Sequence, residues 1–68
     1  MSLIKLSSTV GERKFVIQQD RPEVGFYLFV YENNKCVQDH LQDDLETVKR
    51  FALEEFSVPY ESWRPEEE

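Results

Sequence analysis

The chain has 68 residues, 14 acidic and 8 basic side chains, one cysteine and a formal net charge of −6. That length holds one domain with one small core, a lone cysteine excludes an internal disulfide and fits a reducing compartment, and no run approaches the ~20 apolar residues of a membrane span. Residues 1–38 carry five basic and four acidic side chains and residues 39–68 three and ten, so the second half repels phosphates and anionic membranes and favours basic partners.

The first segments read as strands. Leu3 to Ser8 alternates imperfectly, with Ile4 and Leu6 on one face. Gly11-Glu12 marks a turn. Arg13 to Asp20 is a second strand, with Phe15 and Ile17 on one side and Lys14, Val16 and Gln18 on the other. Arg21-Pro22-Glu23 is a loop, because proline cannot donate to a strand ladder. The N-terminal MSLIKLSS lacks the apolar region of a signal peptide, so a cytoplasmic location is expected.

Val24 to Tyr31, VGFYLFVY, is the strongest strand signal, apolar or aromatic at nearly every position. Asn33-Asn34 follows, two residues that tolerate the positive φ of a type I′ hairpin turn. Regular pairing beyond that turn sets Val30 opposite Val37, Phe29 opposite Gln38 and Leu28 opposite Asp39. One face is then Phe26, Leu28, Val30 and Val37. The other carries Tyr27, Phe29, Tyr31, Cys36, Gln38 and His40.

The second half holds a helix. Leu41, Leu45, Val48, Ala52 and Phe56 fall on one stripe. Asp43 with Glu46 has capping-box spacing, and Asp44 is a competing N-cap. Pro59 ends the helix, and Ser57 stands where a glycine is commoner. Pro59 and Trp63 are expected to fold back onto the core, and the RPEEE of residues 64–68 to form a disordered tail.

The expected fold is α+β: a four-stranded antiparallel meander with one C-terminal helix packed on one face, residues 1–68 forming a single domain. The helix stripe should cover Ile4, Leu6, Phe15, Ile17, Phe26, Leu28, Val30 and Val37.

The run VYENNKCVQDHLQDDLETVKRFALEEFSVPYESW resembles a family of small, uncharacterised bacterial proteins. That family is a short β-meander, a charged helix and a tail like PYESW. The resemblance covers about half the chain and departs at Ser57, where the family has glycine. It implies a fold and a bacterial source, and no activity.

The chemistry-bearing residues are sparse. Cys36, Asp39, His40, Asp43 and Asp44 cluster at the strand-to-helix junction, and all five types bind metals. Cross-strand pairing for Cys36 and capping by Asp43 or Asp44 explain them better, so no metal and no cofactor is expected. Cys36 and His40 share a face under regular pairing, but about 13 Å of strand separates them, too far for nucleophile and base. No carboxylate pair is placed across a cleft. An enzyme is therefore not expected.

The open sheet face is the candidate site. Val16, Tyr27, Phe29, Tyr31 and His40 would form an apolar patch on the side away from the helix, typical of an interface. The expected function is a small acidic protein–protein interaction module, as a homodimeric regulator or as an immunity-type inhibitor of a basic partner. The alternative is single-stranded RNA stacked on the exposed sheet aromatics with Lys5, Arg13 and Lys14 nearby, against which stand the negative charge and the missing glycine- and base-rich signatures.

Overall fold

Two tight turns lay down the sheet. The structure, a computed structural model, describes residues 3–21 and 23–66. Strands β1 (Lys5–Val10) and β2 (Arg13–Gln19) meet at Gly11-Glu12, where Gly11 takes φ 62. Strands β3 (Phe26–Glu32) and β4 (Lys35–Gln42) meet at Asn33 and Asn34, with φ 53 and 65. Positive φ at both central residues is the type I′ hairpin, whose twist matches that of the flanking strands.

Helix α1 (Leu45–Phe56) follows, then a 3₁₀ turn at Tyr60–Ser62 and a two-residue strand, β5 (Arg64–Pro65). The sheet is antiparallel, in the order β4-β3-β2-β1-β5. It has five strands rather than four. Arg64 and Pro65, expected in the tail because a polar run cannot pack, form the fifth strand. They need only backbone pairing, and they find it on the free edge of β1, with the Glu66 N–H donating to the Lys5 carbonyl at 2.9 Å. Glu67 and Glu68 lie outside the described residues.

The helix lies on one face of the sheet. Asp44 is its N-cap, and its carboxylate accepts the Thr47 N–H at 2.8 Å. That hydrogen bond holds the Asp44 carboxyl below its ordinary range. The core between helix and sheet is Phe15, Ile17, Leu28, Val30, Val48, Ala52 and Val58. Leu6, Val10, Phe26, Leu45, Phe51, Phe56 and Trp63 pack around it.

Pro59 opens the 3₁₀ turn that returns Trp63 to the core. A hydroxyl relay fixes the return. The Ser62 hydroxyl donates to the Pro59 carbonyl at 2.8 Å, so the buried Ser8 hydroxyl must donate to the Ser62 oxygen, 2.7 Å away.

β4 departs from regular pairing. Tyr31 pairs with Cys36 but Val30 pairs with Gln38, so Val37 is an extra residue in a β-bulge. One extra residue exchanges the two faces for everything beyond it. Gln38 and His40 therefore turn to the helix side, opposite Val30 and Leu28, while Asp39 and Leu41 turn to the open side, opposite Phe29 and Tyr27. Val37 leaves the core and is 48% exposed. Leu41 belongs to β4 rather than to the helix stripe and is 49% exposed. Ile4 precedes β1 and is also exposed.

Candidate functional site: the open sheet face

A one-helix layer leaves one face of the sheet uncovered. Alternation and register define what stands on it. β3 contributes Tyr27, Phe29 and Tyr31; β2 contributes Lys14, Val16 and Gln18; β1 contributes Lys5, Ser7 and Thr9; β4 contributes Cys36, Asp39 and Leu41; β5 contributes Arg64. Four of the five residues expected at the site, Val16, Tyr27, Phe29 and Tyr31, are together there.

His40 is not with them. The bulge carries it to the helix side, where its ring lies 4.8 Å from that of Phe51 and 6.0 Å from that of Phe56. Its Nε2 is 3.0 Å from the Gln38 side-chain oxygen. Cys36 pairs with Tyr31 on the open side. Cysteine and histidine thus fall on opposite faces, and the same-face arrangement read from regular pairing is corrected. Among the described residues no group of three His, Cys, Asp or Glu side chains is placed to hold a metal.

The centre of the open face is apolar. Tyr27 and Phe29 stack with ring centroids 5.7 Å apart and planes at 17°. The three β3 rings are half-buried, because each lies against its neighbours on the sheet. Val16 is only 4% exposed although no helix lies over it. It sits on the central strand of the sheet, between Phe29 on one side and the long side chains of Lys14 and Gln18 along β2.

The charges stand around this centre. Glu66 extends its carboxylate across β1 and meets Lys14 at 2.9 Å and Lys5 at 3.5 Å. The hydrogen bond from Lys14 holds the Glu66 carboxyl below its ordinary range, and the charge of both lysines adds to it. Arg64 and Asp39 remain at opposite rims, on β5 and β4. A shallow depression of about 610 Å³ lies over Val16, bordered by Lys5, Lys14, Tyr31 and Glu66.

The open face therefore carries Lys5, Lys14 and Arg64 against Asp39 and Glu66. It is close to neutral, whereas the chain as a whole carries −6. The excess acid lies on the helix exterior, at the turns and in the C-terminal residues. Composition shows the asymmetry between the two halves of the sequence. It cannot show that the sheet face escapes it, because that depends on the fifth strand and on the bulge.

No helix among the described residues is long and apolar enough to cross a membrane. No protein-family model, no curated protein and no solved structure matches this chain.

Proposed function

We propose that this protein is a non-catalytic protein–protein interaction module and that the open sheet face is its contact surface. One observation carries the reading. Tyr27, Phe29 and Tyr31 stand in a row on a central strand, beside Val16 and Leu41, on the face the helix leaves uncovered. Aromatic-rich, nearly neutral surface is the composition of interface centres, which are depleted in charge. A basic partner of the immunity type is less well supported at this face, because the excess acid lies elsewhere.

A second reading draws on the same rings. Stacked sheet aromatics with Lys5, Lys14 and Arg64 nearby suit unpaired RNA bases. Against it, Glu66 offsets one of the two charges of Lys5 and Lys14 and holds the nearer ammonium, that of Lys14, at 2.9 Å.

A photoreactive amino acid replacing Tyr27, with one replacing the exposed Leu53 as control, tests the proposal in cells. Protein adducts from position 27, to itself or to another chain, and none from position 53 support it. RNA adducts from position 27 support the second reading. Equal labelling from both positions, or none from either, contradicts both.

A further inference from the structure

The occupant of the open face can be read from its charges. One residue per strand lines up across the sheet: Asp39 on β4, Phe29 on β3, Val16 on β2, Ser7 on β1 and Arg64 on β5. Four inter-strand steps make this row about 19 Å long. It has an acid at one end, a base at the other and an apolar middle. The next row runs Leu41, Tyr27, Gln18, Lys5.

Such a row is complementary to its own reverse. We infer that a second copy of this chain covers the open face, related by a two-fold axis that runs parallel to the strands and over β2. The inference rests on the reading of this face as a contact surface. The axis reverses each row. Asp39 then lies over Arg64 of the second copy and Phe29 over Ser7, while the axis passes over Val16, which its own neighbours already cover. A large ring meets a small hydroxyl residue, which lets two sheets interdigitate at the usual ~10 Å spacing. In the next row the Tyr27 ring lies over the Lys5 ammonium, an attractive pairing for a ring face.

The other in-plane axis, perpendicular to the strands, fails on charge. Drawn over the same row, it keeps each strand over its own copy, so Asp39 faces Asp39 and Arg64 faces Arg64, and like-charge juxtaposition is costly. Lys14 lies over the proposed axis and faces its counterpart. Each Lys14 arrives already paired with Glu66 at 2.9 Å, so the four groups meet as two ion pairs. Edge-to-edge pairing through β4 is opposed by the bulge at Val37, which breaks the regular ladder. The face spans only five short strands, which places the contact at the low end of interface sizes.

Light scattering on the whole chain at about 100 µM, enough to populate a dimer with a Kd of about 1 µM, tests this. The expected result is twice the monomer mass, reduced to one by Phe29→Lys. Asp39→Arg and Arg64→Asp, both at exposed rim positions away from the core, each weaken the dimer about tenfold. Combined in one chain they restore it to within about threefold, because the pair is re-formed with its signs exchanged. A wild-type monomer at this concentration overturns the inference, while adducts from position 27 to another protein still uphold the contact surface. A dimer indifferent to Phe29→Lys overturns the inference and puts self-association elsewhere, and the contact surface falls with it only if position 27 gives no adducts. A double variant weaker than either single one overturns the axis and leaves the surface standing.

Discussion

Ser57 holds a backbone conformation for which it is poorly suited. Its φ of 59 and ψ of 32 are left-handed helical, and its N–H caps the carbonyls of Ala52 and Leu53. A Cβ makes that region costly, and glycine enters it freely. Ser57→Gly should therefore raise stability by about 0.5–1 kcal/mol, read as a higher urea midpoint at constant m-value. Gly25 is the reverse case. Its φ is 116, and an added Cβ would strike the Gln42 backbone carbonyl where β4 ends. Gly25→Ala should cost about 2 kcal/mol or more by the same measurement. Trp63 separates packing from hydrogen bonding. Its ring packs on the core, while its buried Nε1 finds no partner among the described residues. Trp63→Ala should cost about 3 kcal/mol and Trp63→Phe under about 1 kcal/mol, since phenylalanine keeps most of the ring contact and removes an unpaired donor. Equal losses in thermal melts would move the stabilisation to the N–H.

At the level of elements, the helix was legible because period and burial agree. Val48 and Ala52 lie on the predicted stripe and are fully buried, and Glu54 is exposed. Val48→Asp should unfold the domain, because it buries an unpaired charge, whereas Glu54→Lys should be close to neutral. Opposite melting behaviour would mean that the helix phase is wrong. The asparagine hairpin was legible for the same kind of reason: two residues that tolerate positive φ stand between two strand-like runs. Beyond it the reading of β4 failed. Pairing counted from the turn is correct at Glu32–Lys35 and Tyr31–Cys36 and wrong from Val37 onward. A single inserted residue has no compositional mark, and its effect is to exchange every later side chain between faces. The alternation in β4 does hold a trace of it. Without the bulge the charged Asp39 would stand against the buried Leu28; with it His40 takes that place and reaches the helix aromatics. An NMR spectrum should show cross-peaks between the His40 and Phe51 rings, which are 4.8 Å apart. Cross-peaks from His40 to Tyr27 instead would restore regular pairing and remove the bulge.

For the whole molecule, one helix over one sheet leaves a second face uncovered. Four of its aromatic and apolar residues were legible, because Val16 and the β3 rings are fixed by alternation alone. Its rim was not, since Asp39 and Leu41 depend on the bulge and Arg64 on a two-residue strand without any sequence pattern. Glu66 ties that strand to the open face and makes it sensitive to acid. Its carboxyl is depressed in the folded chain by Lys14 first and then by Lys5. The stabilisation is thus fully present above the ordinary glutamate range and is lost as pH falls through the depressed value. The amide resonances of Lys5 and Glu66, joined by the 2.9 Å backbone bond, should shift together with a midpoint below that range. A midpoint at the ordinary glutamate value would dissolve the contact between tail and face. The central claim, that the open face is covered by its own copy, is tested most directly by a mixed dimer of isotope-labelled and unlabelled chains. Isotope-filtered spectra should show contacts between chains from Phe29 to Ser7 and from Tyr27 to Lys5. Contacts confined to the β4 edge or to the helix, or no contacts at concentrations where the chain is dimeric, would contradict it.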